Sequence, residues 1–202
     1  MESFYDWGSI NLNNKEKLIQ DNYSKINQIS ARCMRVIVAI LALAFVYCYF
    51  GTDMDESVLI VFFASAIFIA LIPTLIINIL KFDHAPVTKH IVIICVCLIA
   101  TLMLTLLSTY AYPIMLFPIL LASLYYNQTL VLFASLLMSC GIVGSNYFAF
   151  RFSDVFIGFP CESFEEVMMS YVVPQIVVVF GLSVAAYFLS LIHISEPTRH
   201  SL

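Results

Sequence analysis

The sequence predicts an all-α fold, an integral membrane bundle of about six transmembrane helices with a cytoplasmic N-terminus. Three observations carry that prediction. Of 202 residues, 62% are hydrophobic and 11% charged, where soluble domains average about 45–50% apolar and about 25% charged. Mean hydropathy is +0.97. The apolar residues gather into runs close to the roughly 20 residues that an α-helix needs to cross the hydrocarbon core. Lys and Arg sit beside alternate ends of those runs, as the retention of basic loops in the cytoplasm requires.

The N-terminal lead, residues 1–35, precedes the first apolar run and is charged, so it is not a cleavable signal peptide. Within it Leu18, Ile19, Ile26, Ile29 and Cys33 fall near one face at helical spacing. This predicts an amphipathic helix lying at the membrane surface and running into the first span. The membrane domain follows over residues 36–188, beginning with span one at Val36 to Phe50. Span two covers Ser57 to Leu80 and span three Ile91 to Tyr110. Span four, Ala111 to Tyr126, is the weakest: it is short and carries Pro113 and Pro118. Span five covers Leu130 to Phe150, and span six starts near Met168.

Lys15, Lys17, Lys25, Arg32 and Arg35 precede span one, and Lys81 and Lys89 separate spans two and three. These belong in the cytoplasm. The opposite side then holds Asp53, Asp55, Glu56, Asp154, Glu162, Glu165 and Glu166 against the single Arg151. The expected location is the inner (plasma) membrane, multi-pass, with the lipid bilayer as the main partner and no nucleic acid.

The spans offer little chemistry. Spans one to five contain no Asp, Glu, Lys, Arg or His, which argues against a proton relay or an ion-coupled pump. The neutral polar residues Asn78, Thr101, Thr105, Ser135, Ser139, Asn146 and Gln175 are expected to bond neighbouring helices or their own backbone. Gly141 and Gly144, flanked by Ser139 and Ser145, permit close helix approach. Cys48, Cys95, Cys97 and Cys140 lie in apolar runs, where a thiol behaves as a small hydrophobe. Asp83, His84 and His90 have the residue types of a metal site, but no pair of histidines has the i, i+4 spacing of a zinc helix. No metal, cofactor or catalytic residue is assigned, and the chain is not expected to be an enzyme.

Two places are candidates for function. The first is the hairpin between spans four and five, with Pro118 as a kink and Tyr125, Tyr126 and Asn127 at the turn, where Asn tolerates turn geometry. A kinked hairpin with two packings suits a switch. Pro118 frees the carbonyl of Ile114, which Ser139 or Ser135 is placed to satisfy. The second is the loop from Arg151 to Met169. It holds Phe152, Phe156, Phe159 and Phe164, more aromatic surface than a solvated loop exposes, which predicts a lid over the bundle mouth.

Ala111 to Phe148, "AYPIMLFPILLASLYYNQTLVLFASLLMSCGIVGSNYF", resembles the six-span N-terminal membrane input regions of bacterial signalling proteins, as does the lead "KLIQDNYSKINQISARCMRV". The likeness is greatest to those of GGDEF-type diguanylate cyclases. It implies a membrane-embedded sensor and anchor whose output domain follows the last span and mediates homodimerisation, with the ligand unknown. Chemoreceptor and histidine-kinase outputs occur on similar regions. A small stand-alone transporter or channel subunit is the alternative of a different class. Residues 189–199, "LSLIHISEPTR", resemble a translated sequencing-library adapter. This predicts a fragment whose native sequence ends near Phe188, with 189–202 a non-native tail that happens to prolong span six.

Overall fold

The computed structural model describes residues 3–52, 54–153 and 161–195, with side chains described for 23–52, 54–107, 112–153 and 161–190. Among them all regular structure is helical. That follows from the composition, because a backbone surrounded by hydrocarbon must satisfy its own N–H and C=O groups, and a helix does so locally. The helices are α1 (Ser3–Gly51), α2 (Glu56–Thr74), α3 (Thr88–Leu107), α4 (Phe117–Ser123), α5 (Gln128–Arg151), α6 (Phe164–Val167) and α7 (Val173–Ser195). Lead and first span form one unbroken helix. α2 is extended by a π turn, Leu75–Ile79, and α7 is entered through another, Met168–Val172.

Five helical segments are long and apolar enough to cross a membrane: Tyr23–Gly51, Glu56–Ile79, Thr88–Leu107, Gln128–Arg151 and Phe164–Ser190. The protein is therefore a membrane-embedded, multi-pass bundle. The predicted fourth span differs from the other five. A 3-10 helix, Ser108–Leu116, leads into the short α4. The prolines account for this, since neither Pro113 nor Pro118 has an N–H to donate to the carbonyl one α-turn earlier. The Ile114 carbonyl is taken instead by the N–H of Phe117, three residues on, as in a 3-10 turn. Ser135 and Ser139 do not reach it: each hydroxyl bonds a carbonyl of α5 itself, Val131 at 2.7 Å and Ser135 at 2.8 Å.

The helices pack largely in chain order, α1 on α2, α2 on α3, α3 on α5 and α5 on α7, while α4 fits against α3, α5 and α7. α3 is the most enclosed span, burying Val92, Ile93, Ile99, Met103 and Leu106. Outward-facing positions carry Leu43, Phe50, Phe68, Leu136 and Phe180, a surface suited to lipid rather than water. Cys140 belongs to this exposed set, whereas Cys48, Cys95 and Cys97 are buried.

α3 and α5 approach closely at one point. A Cβ on Gly141 would fall on the hydroxyl of Thr101, whose Cβ lies 3.5 Å from that position. Gly144, one turn later, faces open space. α5 and α7 are joined by two polar contacts, Asn146 Nδ2 donating to Gln175 Oε1 at 3.1 Å and the Ser135 and Ser183 hydroxyls bonding each other. Thr101 and Thr105 each donate to a carbonyl four residues earlier at 2.9 Å. The neutral polar residues of these spans are thus used for helix packing.

A candidate polar coupling site at one end of the bundle

At the end where the α2–α3 loop and the α4–α5 turn meet α1, a chain of hydrogen bonds joins all three segments. The turn is built locally. α4 stops at Ser123, Tyr126 takes a left-handed conformation with φ 49°, and Asn127 is extended with φ −119°. Asn127 caps α5 through its Oδ1, which accepts from the N–H of Leu130 at 3.2 Å. The left-handed residue of the turn is Tyr126, and Asn127 acts as the cap. Pro118 is buried in the first turn of α4, where its missing N–H leaves no intrahelical bond unmade. It marks a change of helix type, not a kink within one helix.

The turn directs Tyr125 inward, where it is 2% exposed. Its hydroxyl donates to Asn27 Oδ1 at 2.8 Å and accepts from the Ser30 hydroxyl at 3.2 Å. Asn27 Nδ2 in turn donates to the backbone carbonyl of Asp83 at 2.6 Å. The Asp83 carboxylate accepts from Ser24 Oγ at 2.7 Å and from Gln28 Nε2 at 3.4 Å. These bonds, the Ser24 one foremost, hold the Asp83 carboxyl below the usual carboxylate range, with His84 Nε2 3.8 Å away as a further positive influence. Beside this network the buried Lys89 places its Nζ 4.5 Å over the ring of Tyr23, a cation–π contact. The rings of His90 and Phe133 pack in a T shape with centroids 5.9 Å apart.

Of the predicted hairpin residues, Tyr125 belongs to this network, Asn127 and Tyr126 shape the turn that presents it, and Pro118 lies about two turns away in α4. Ser24, Asn27 and Ser30 escaped the sequence reading because it followed only the apolar residues of the lead, whose face it placed at the membrane surface. Ile29 is 48% exposed, and the face turned toward the bundle carries Ile26, Asn27, Ser30, Ala31 and Met34. Small and amide side chains let α1 approach the loop closely and bond to it. A signal was available in the sequence, since Ser24, Asn27, Ser30 and Ala31 recur at three- and four-residue spacing.

At the opposite end, Phe164 begins α6 and packs its ring against Tyr147 and Phe150, at 5.2 Å and 5.8 Å between centroids. Ser163 caps this helix by accepting from the N–H of Glu166 at 3.3 Å, while Glu166 Oε2 accepts from the N–H of Glu162 at 3.2 Å. Phe152 is 45% exposed and contacts Phe148. The other two predicted lid residues, Phe156 and Phe159, lie outside the described residues. Between α1, α3 and the 3-10 segment there is an apolar cavity of about 340 Å³ lined by Ile37, Leu41, Val96, Ile99, Pro113 and Phe117. None of the neutral polar residues of the spans lines it.

The chain matches no known protein family, characterised protein or solved structure.

Proposed function

We propose that the chain is the membrane-embedded sensor and anchor region of a signal-transduction protein, held in the inner membrane with its N-terminus in the cytoplasm. The observation that carries this reading is the Tyr125–Asn27–Asp83 chain of hydrogen bonds. It ties the α4–α5 turn, the α2–α3 loop and the lead helix together at one end, so that a repacking of the hairpin changes the constraints on α1. An input region needs such a connection between its bundle and its cytoplasmic end. The basic residues of that end support a cytoplasmic assignment.

Six crossings are supported by the geometry of the fourth segment. A 3-10 helix rises about 2.0 Å per residue against about 1.5 Å in an α-helix. Ser108–Leu116 and α4 together therefore extend roughly 28 Å, near the ~30 Å hydrocarbon thickness. An output domain after the sixth span, a diguanylate cyclase on the sequence resemblance, would dimerise the protein, and residues 189–199 are adapter-derived on this reading. The test is the native locus beyond Phe188. A continuous reading frame into a cyclase, kinase or chemoreceptor domain upholds the proposal and chooses among them; a stop codon directly after Phe188 refutes it. In the full-length protein Tyr125→Phe is expected to change basal or stimulated output, and unchanged output in a normally inserted protein removes the polar network from the mechanism.

A further inference from the structure

We infer that the basic recess between α1 and the end of α2 is a binding site for the phosphate of an anionic lipid headgroup. The recess encloses about 330 Å³ and is lined by Gln28, Arg32, Arg35, Asn78, Lys81 and Asp83 among others. Among the described residues, Arg32, Arg35 and Lys81 have no carboxylate within ion-pair distance. Asp83, the acid at the same recess, is engaged by Ser24, Gln28 and His84. Three cations therefore face one carboxylate that already has its donors, and the recess favours an anion.

The backbone at Lys81 is a second, independent observation. α2 ends through its π turn with Lys81 in the left-handed region at φ 54°, and the N–H of Phe82 returns to the Ile76 carbonyl at 3.2 Å. Glycine is the residue that adopts this capping conformation without steric cost. A lysine here accepts backbone strain, and its side chain lines the recess. That arrangement gains from a ligand its charge can hold.

The neighbourhood identifies the source of the phosphate. On α1, Arg32, Val36, Ala39, Leu43, Val46 and Phe50 follow one another at alternating four- and three-residue spacing, and all are exposed. Leu71, Leu75 and Ile79 form the exposed side of α2 leading to the same end. The recess thus opens where two lipid-facing stripes run out, at headgroup level. An acyl chain lying along those stripes brings its phosphate to Arg32, Arg35 and Lys81 without leaving the bilayer. Basic pockets between spans bind phospholipid headgroups in this manner. A soluble phosphate offers the same anion without the chains, so the test must separate the two.

The purified chain, in detergent, is titrated with phosphatidylglycerol, with phosphatidylcholine of the same acyl chains, and with inorganic phosphate. Retained lipid is measured by native mass spectrometry and stability by thermal unfolding. Phosphatidylglycerol is expected to be retained and to raise the melting temperature, and phosphatidylcholine is not. At about 1 kcal/mol per basic residue near an anionic surface, Arg32→Gln with Arg35→Gln should weaken retention roughly thirtyfold. Lys25→Gln, exposed on α1 but not lining the recess, should leave it unchanged. Lys81→Gly keeps the fold testable because glycine fits the backbone: it should melt higher without lipid and yet bind phosphatidylglycerol about fivefold more weakly. Equal retention of both lipids, or undiminished phosphatidylglycerol binding in Lys81→Gly and in the double variant, overturns the inference. Stabilisation by inorganic phosphate with no preference between the lipids overturns the lipid source and assigns the recess to a soluble anion.

Discussion

The two glycines of α5 allow the same substitution to be made with opposite expected results three residues apart. Replacing a helical glycine by alanine gains up to about 1 kcal/mol in helix propensity. At Gly144 nothing lies within 4 Å of the added Cβ, so that gain should be realised in full. At Gly141 the Cβ meets the Thr101 hydroxyl, which is bonded to the Cys97 carbonyl at 2.9 Å. Thr101 is short and branched at its β-carbon, so it relieves the clash only by turning and breaking that bond or by pushing α3 from α5. Overpacking of this kind costs about 1–3 kcal/mol, and Gly141→Ala should be less stable than Gly144→Ala by about that amount. Thermal unfolding in detergent can be followed with a thiol-reactive fluorophore, because Cys95 and Cys97 are buried on α3 in the folded bundle. In a Thr101→Ala background the clash is gone, and Gly141→Ala should become neutral or stabilising. Should Gly141→Ala melt at or above Gly144→Ala in the otherwise unaltered chain, the α3–α5 contact described above is wrong.

Tyr125→Phe removes the hydroxyl that donates to Asn27 and accepts from Ser30, leaving buried polar atoms unpaired, so a loss of about 1–3 kcal/mol is expected in detergent unfolding. Asp83 has a lowered pKa in the folded protein, so its contribution to stability is complete above the unfolded value of about 3.9 and is lost as pH falls through the lower folded value. Melting temperatures measured from pH 6 down to about pH 3 should show this acid loss, reduced in Ser24→Ala, which removes the largest cause of the shift. Partial desolvation and the nearby Glu166 carboxylate raise the Cys161 thiol above its ordinary range. Maleimide labelling of Cys161 in the detergent-solubilised protein should therefore rise with pH into the alkaline range, and should rise more readily in Glu166→Gln. A double-mutant cycle on Asn146 and Gln175 should give a coupling of about 0.6 kcal/mol, a typical value for polar contacts between membrane helices.

The membrane class and the positions of the long helices were legible because apolar run length is a direct physical requirement of the bilayer. The fourth segment was legible as an anomaly: Pro113 and Pro118 announced a break, but not that the break would take the form of a 3-10 helix. Gly141 and Gly144 look alike in sequence, and only the position of Thr101 on another helix distinguishes them. The polar network was half legible. Tyr125 stood out as an aromatic at a turn, whereas Asn27 and Asp83 were ordinary polar residues until a separation of 56 positions was closed by packing. Periodicity identifies which residues are apolar along a helix, but a helix held to its neighbour by small and amide side chains buries a different face. In the lead this leaves Ile29 outward and turns Ser30 inward.

α1 runs without interruption through 49 residues, Ser3 to Gly51. At about 1.5 Å per residue this is a rod of roughly 74 Å. The residues from Ser3 to Tyr23 precede the contacts of Ser24, Asn27 and Ser30 with the loop and the turn, so about 30 Å of helix continues past that fulcrum. No proline or glycine lies between Asp6 and Val36 apart from Gly8, so the shaft has no built-in joint near that fulcrum. A tilt of about 5° at the membrane end becomes a sideways travel of roughly 2–3 Å at the far tip. The bundle thus carries a lever arm, and whatever contacts the N-terminal end of α1 feels an amplified copy of each small rotation of the first helix.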